Sequence, residues 1–381
     1  MNSHAAPSNS SRQSAAADTP PTHDAANGQN GNGHSGTPDR IRLTPDEVRA
    51  ALSHYNLGKI LSAKTYPRGS RHSPKLLLRT DRGRFLLKRR ADGKDDRARV
   101  EFAHALMHHL RGSKFPLPGL MRSREGHPAI EIHGHVYEVF EYVDAQRYKG
   151  SLEETMHAGY VLGRLHARTK GFRRENPPAA LNYHDRQDVI DGLGAIPSIT
   201  SSLDSVVGHE TELLMTTIEL ADRYRESADA IRAAGYDSLE HVVLHGDWHP
   251  GNMLFTNNHV AVVLDFDAAR PGPPIVEVAN GMLQFSMLRS EHDPVNWPAF
   301  FDETRMRRFL IGYSLRLRLP QEQRQLIPDF MIESLIAETS VPIAVTGSFG
   351  HMPGFGVLQM AKRKVRWLLE NKSRMQRWLA E

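Results

Sequence analysis

The strongest constraint on this chain is a change of period along its length. Between residues 59 and 143 the apolar residues come in short runs: "KILSAKTY" (59–66), "KLLLRT" (75–80), "RFLLKRR" (84–90), "PAIEI" (128–132) and "HVYEVFEYV" (135–143). Turn residues separate them, "DRG" at 81–83 and His133-Gly134 among them, so the runs read as strands joined by hairpins. One helix interrupts the series at 95–111, where Val100, Ala103, Leu106, Met107 and Leu110 share a face. Beyond residue 145 the pattern turns mostly helical. "SLEETMHAGYVLGRLHARTK" opens on a capping box, Ser151 and Glu154, a helical stretch runs from 203 to 234, and three more segments close the chain. Two strand-like pieces, "HVVLHGDWHPGNMLF" and "HVAVVLDFDAARPGPP", break the helices, with a turn at 256–258 between them. The pattern predicts an α+β chain in two lobes: a small antiparallel β lobe with one helix over 41–142, then a larger, mainly helical lobe over 143–381.

The folded part has a sharp start. Residues 1–40 contain no Val, Ile, Leu, Phe, Trp or Tyr and cannot bury enough apolar surface to offset their ordering entropy. They are expected to form a disordered tail. At "IRLTPDEVRAALSHYNLG" (41–58) a helix begins, with Thr44 as N-cap, Pro45 in the first turn and Glu47 completing a capping box. Leu43 and Val48 suit a hydrophobic staple, and Gly58 reads as the stop signal.

Composition removes several classes. There is no cysteine, hence no disulfide, thiolate metal site or cysteine nucleophile. No run of about 18 apolar residues is present to span a membrane, and no basic-then-apolar start resembles a secretory signal; a cytoplasmic protein is expected. The net charge is only +4. Basic residues cluster at 79–90 and 362–377 without aromatic interleaving or a base-reading motif, so no nucleic-acid partner is expected. Nothing in the sequence defines an oligomeric state.

Chemistry concentrates in "LHGDWHPGNMLF" (244–255). Asp, Pro, Gly and Asn make tight turns, and a turn is the plainest reading. Another follows from spacing. Phosphoryl transfer from ATP needs an acceptor-orienting base, metal ions on the β and γ oxygens and a cation on the phosphates. Protein kinases place the base and a metal-binding Asn five residues apart, in H-R-D-x-x-x-x-N. Asp247 and Asn252 have that separation, with His245 two residues before the Asp. Asp265 follows the apolar run "VVL" and precedes Phe266, as a second metal-binding carboxylate would. Lys88 ends the strand "FLLK", like the phosphate-binding Lys of V-A-I-K, and Glu101 in the next helix is placed to pair with it. Two further readings stay open: a metallohydrolase using His245, Asp247 and His249 with Asp265 as bridge, and a nucleotide-binding pseudokinase without turnover.

The motifs "LHGDWHPGNMLF", "VVLDFDAARPGPP" and "GYVLGRLH", with "LTPDEVRAAL" and "FLIGY" (309–313) as weaker features, resemble the phosphotransferase enzyme family of aminoglycoside phosphotransferases and choline kinase-like proteins. Its bacterial branch includes homoserine kinase type II, spore-coat kinase-like proteins and a stress-response Ser/Thr kinase. The resemblance spans 42–335. It implies a protein kinase-like two-lobed fold with ATP and magnesium, Asp247 as base, Asn252 and Asp265 as magnesium ligands, and Lys88 on the nucleotide. "EVFEY" (138–142) resembles the hinge whose backbone receives adenine, which implies Glu141 and Tyr142. The acceptor it implies is a hydroxyl, of a small molecule or of a protein Ser/Thr. Three features depart from the pattern. No G-x-G-x-x-G is present, the loop "YPRGSRHSP" (66–74) having a single glycine; Glu277 stands where relatives carry Asp and is expected to be structural; no A-P-E follows Asp265.

Overall fold

The structure is a computed structural model that describes residues 40–180, 182–184, 186–203, 205–290 and 293–381. The tail expected over residues 1–40 lies outside the described residues, Arg40 excepted.

Helix α1 (Pro45–Ser53) begins with the reciprocal capping box: the Thr44 hydroxyl accepts from the Glu47 amide at 3.2 Å, and the Glu47 carboxylate accepts from the Thr44 amide at 2.7 Å. It stops at Ser53, short of the expected Gly58. Gly58 instead takes a left-handed φ of +84° where a Cβ would collide with the Asp81 carboxylate. Strands β1 (Ile60–Thr65), β2 (Lys75–Thr80), β3 (Gly83–Arg89), β4 (Ile130–Ile132) and β5 (His135–Glu141) form one antiparallel sheet in the order β1-β2-β3-β5-β4. The β4–β5 turn has φ of 52° at His133 and 77° at Gly134, as a type I′ hairpin requires. Helix α2 (Arg97–Arg111) is inserted between β3 and β4.

Alternation along β3 decides what meets what. Phe85 and Leu87 bury against Ala51 and Tyr55 of the α1 region together with Leu78, Tyr137 and Val139, and Arg89 pairs with Glu47 on that side at 2.7 Å. Leu86, Lys88 and, just past the strand, Arg90 point to the opposite face.

The helical lobe contains β6 (Gln146–Arg147), α3 (Leu152–Thr169), α4 (Gln187–Thr200), α5 (Glu210–Ala233), β7 (Val242–Leu244), β8 (Met253–Thr256), β9 (His259–Val263), β10 (Arg270–Gly272), α6 (Pro274–Ser286), α7 (Glu303–Ser314), α8 (Gln321–Arg324), α9 (Ile327–Thr346), β11 (Ser348–Phe349), β12 (Met352–Pro353) and α10 (Gly354–Ala380). The helix expected from 203 starts only at Glu210. Helix α4 forms despite Gly192, Gly194 and Pro197, all poor helix formers, because Val189, Leu193 and Ile196 are fully buried in the core it shares with α5 and α9. Glycines bring α3 and α7 together: a Cβ on Gly159 would strike the Phe309 carbonyl, and one on Gly312 the Met156 carbonyl. The "GYVLGRLH" and "FLIGY" motifs are therefore the two halves of one close helix crossing. Among the described residues no helix is long and apolar enough to cross a membrane.

Candidate active site

The loop after β7 is fastened from behind. The Glu277 carboxylate, on α6, accepts from the His245 amide at 3.0 Å and the Gly246 amide at 2.6 Å, and meets His166 Nε2 at 2.9 Å. His166 Nδ1 in turn lies 3.0 Å from the Tyr313 hydroxyl. All three side chains in this chain of bonds are buried, so Glu277 holds the loop and touches nothing in the cleft. The His245 ring is sealed between Trp248 and Phe266, with Nε2 2.9 Å from the Leu264 carbonyl. Gly246 has φ +79° and passes so close to the Ala268 carbonyl that a Cβ would clash. The His245 ring is thus enclosed, its Nε2 on the Leu264 carbonyl and its Nδ1 buried without a partner. Among the described residues, the group of His and acidic side chains spaced to share an ion is Asp92, Asp95 and His135, which does not include His245, Asp247 or His249.

From this rigid base Asp247 projects with 44% of its side chain exposed. Asn252 Nδ2 donates to both its carbonyl (3.0 Å) and its carboxylate (2.9 Å), and His249 Nε2 lies 3.4 Å from the other carboxylate oxygen. Desolvation in the cleft pushes the Asp247 pKa up, but the His249 imidazole more than offsets this and holds it below the usual carboxylate range. His249 itself is raised: desolvation works against its charge, and Asp247 outweighs that.

The β8–β9 hairpin brings Asp265 to the same place. Met253 pairs with Val263, and the Leu264 amide donates to the Asn252 carbonyl at 2.8 Å, so Asn252 and Asp265 lie side by side. Asp265 has φ 62°, a left-handed conformation that Asp tolerates better than most residues.

The small lobe answers with Lys88. Its ammonium lies 3.0 Å from Asp265 and 2.6 Å from Asp267, with only 5% of the side chain exposed. Burial opposes the charge, but the two carboxylates keep the Lys88 pKa above its ordinary value. Asp265 responds by staying strongly acidic, burial notwithstanding, while burial and its neighbour Asp265 push Asp267 up. Arg90 continues the network, 2.8 Å from Glu138 and 3.3 Å from Asp267. Glu138 sits directly across from Lys88 in the β3–β5 register and is fully buried; His104 of α2 reaches it at 2.6 Å.

Glu101 does not join this group. Its carboxylate is 64% exposed and bonds Arg97 one turn away on the same helix at 2.8 Å, so the expected pairing with Lys88 is corrected. The phase of α2 is set by burial of Val100, Phe102, Ala103 and Leu106, which presents His104, not Glu101, to the sheet. The acids that pair with Lys88 are Asp265 and Asp267 of the helical lobe, while Glu138, opposite it in the sheet, bonds Arg90 and His104.

At the hinge, the Glu141 amide donates to the Gly119 carbonyl at 2.7 Å and the Tyr142 amide to the Arg84 carbonyl at 2.9 Å. Both N–H groups are thus spent inside the fold. The Tyr142 ring packs edge-on against Tyr66, the first residue of the 66–74 loop, at 6.3 Å. On the helical side, Glu338 of α9 accepts from Tyr183 at 2.7 Å and Gln284 at 3.0 Å, and also from Asn280. Asn280 and Gln284 lie on the face of α6 that carries Glu277, and Asn280 Oδ1 is buried without a partner. Asp267, Arg90, Glu138 and Glu338 escaped the reading of the sequence. Two of them stand inside motifs, Asp267 as the second acid of "DFD" and Glu138 as the first residue of "EVFEY".

The chain belongs to the phosphotransferase enzyme family, whose model matches residues 64–319. It is 25% identical over 229 residues to the homoserine kinase of Allorhizobium ampelinum, a match covering 58% of this chain and 63% of that protein. The match thus spans just under two thirds of that relative's length. Two solved structures share the protein kinase-like two-lobed fold. An aminoglycoside phosphotransferase from Alicyclobacillus acidocaldarius superposes with a TM-score of 0.64 at 15% identity, covering 91% of this chain and 99% of that one. A microcompartment-associated aminopropanol kinase gives 0.64 at 15% identity, covering 86% and 98%.

Proposed function

We propose that the chain is an ATP- and magnesium-dependent phosphotransferase acting on a hydroxyl of a small molecule. The observation that carries this reading is the meeting, at one cleft, of Asp247 and Asn252 from one loop with Asp265 and the buried Lys88. The donor set fits the groups it would hold. Asp265 and the Asn252 amide oxygen are hard oxygen ligands of the kind magnesium prefers, and Asn252 Nδ2 is already committed to Asp247, which leaves Oδ1 for an ion. Lys88 is the cation for the nucleotide phosphates, and the Glu141 and Tyr142 carbonyls, not their amides, form the edge that adenine meets. Glu101 has no part in the reading. Magnesium supplies neutralisation of the β and γ oxygens.

Asp247 does the acceptor chemistry. Ionised at neutral pH, its carboxylate receives the acceptor hydroxyl's hydrogen bond and orients the oxygen toward the γ-phosphorus. The new O–P bond forms as the bond from the γ-phosphorus to the β–γ bridging oxygen breaks; the hydroxyl proton passes to Asp247 and the nucleotide leaves as the diphosphate. Relatives named homoserine kinase and aminopropanol kinase support a small acceptor over a protein Ser/Thr, and the small lobe over 41–142 and helical lobe over 143–381 then divide nucleotide from acceptor. The setting is the cytoplasm. Labelled ATP with magnesium and a panel of small alcohols that includes homoserine tests this: transfer to a panel member is expected, and nucleotide binding with no turnover on any of them would turn the reading to a pseudokinase.

A further inference from the structure

The loop over the nucleotide site lacks the row of glycine amides that would wrap a phosphate chain, and the structure offers a cation in its place. The β2–β3 register sets Lys75 directly opposite Lys88, so both side chains rise on the same face of the sheet. Like charges directly opposite destabilise a strand pair. Lys88 is compensated by Asp265 and Asp267. Among the described residues, Lys75 has no ion pair: its ammonium reaches only the Ser73 carbonyl, at 3.4 Å. Burial and Lys88 push its pKa down to about 8, with Arg40 acting in the same direction and Asp265 and Asp267 against it. The 66–74 loop closes over this charge. Its one glycine, Gly69, has φ +81°, and a Cβ there would stand 2.9 Å from Lys75 Nζ. Arg40 ties the loop down through the Gly69 and Ser70 carbonyls at 3.2 and 3.3 Å. A half-buried ammonium beside a second one, roofed by a loop that gives it no carboxylate, is short of one anionic partner.

We infer that Lys75 is a second phosphate-binding cation, which with Lys88 holds the polyphosphate chain of the nucleotide beneath the 66–74 loop. This rests on the phosphotransferase reading above, and the test separates the two. The full chain is titrated calorimetrically with AMP-PNP plus magnesium and with adenosine, as wild type, Lys75→Gln and Lys75→Arg. Lys75→Gln is expected to lose about ten-fold or more in AMP-PNP affinity, the worth of one charge-assisted hydrogen bond, with adenosine affinity unchanged. Lys75→Arg should recover most of the loss. AMP-PNP affinity within about two-fold of wild type in Lys75→Gln overturns the inference, and so does an equal loss for adenosine, which would mark a folding role. A wild-type chain that takes adenosine and AMP-PNP equally well overturns it too; one that binds neither fells the phosphotransferase reading first.

Discussion

On the small-lobe side of the cleft, Lys88, Arg90 and Glu138 are buried, and Lys88 and Arg90 reach across to the buried Asp267 carboxylate of the helical lobe, so these charges are spent on one another. On the helical side, Asp247 is 44% exposed, and the residues that fix it, His245, Glu277, His166 and Tyr313, lie in a hidden layer behind the loop. The first arrangement makes the same atoms serve fold and function. Removing one partner there leaves a buried charge uncompensated, which costs about 3–5 kcal/mol. The second arrangement separates the tasks: the proposed base is an exposed carboxylate, and stability sits on the layer beneath it. Mutations on the two sides should therefore fail in different ways.

The largest effect expected is on chemistry alone. Asp247→Asn should lower kcat by about 10²–10⁴-fold, the usual worth of a positioned base, with nucleotide affinity and melting temperature unmoved. Asn keeps the shape and still accepts a hydrogen bond, so lost turnover cannot be blamed on lost folding. Steady-state kinetics beside a calorimetric melt makes the measurement. A variant with wild-type kcat would return this stretch to being a turn.

A smaller effect should appear one layer down. Glu277→Gln removes one of two carboxylate oxygens that between them serve the His245 amide, the Gly246 amide and His166. A buried donor left unpaired costs about 1–3 kcal/mol. Here stability should fall first, with kcat following as the loop loosens, the reverse of the Asp247 pattern. An unchanged melting temperature would show that the loop is held by something other than Glu277, and the contrast between the two layers would collapse.

What could be read beforehand follows the same division. The Asp247-to-Asn252 spacing was legible because both ends lie in one loop, and a hairpin carries the neighbouring Asp265 to Asn252 through local pairing. The small lobe's strands were legible because alternation and turn residues act within a few positions. The buried network was not. Nothing local tells that Glu138 faces Lys88, since that depends on β5 lying next to β3 rather than on any spacing between them. Glu338 joins Asn280 only because α6 and α9 pack side by side. Helix α4 was obscured for a related reason: its glycines and proline argue against a helix locally, and only the tertiary core overrides them.

The smallest expected effect sharpens the comparison most, because it tests whether α2 supplies an acid to Lys88 at all. A helix that follows the strand bearing Lys88 invites pairing of its Glu with the Lys, and Glu101 has the right place in the sequence. The structure instead gives Glu101 an exposed partner, Arg97, and exposed i,i+4 pairs are worth about 0.3–0.5 kcal/mol. Glu101→Ala should accordingly leave stability within about 0.5 kcal/mol and nucleotide affinity unchanged. Glu138→Gln, by contrast, removes the negative charge that the buried Arg90 bonds and that faces Lys88, and should destabilise the lobe plainly. Paired chemical melts and AMP-PNP titrations of the two variants decide between them. If Glu101→Ala lost ten-fold in nucleotide affinity, α2 would have to turn by most of a helical step when nucleotide binds, bringing Glu101 round to Lys88. The sheet-borne Glu138 would then be the resting partner of a mobile helix, and the small lobe would no longer be the rigid side of the cleft.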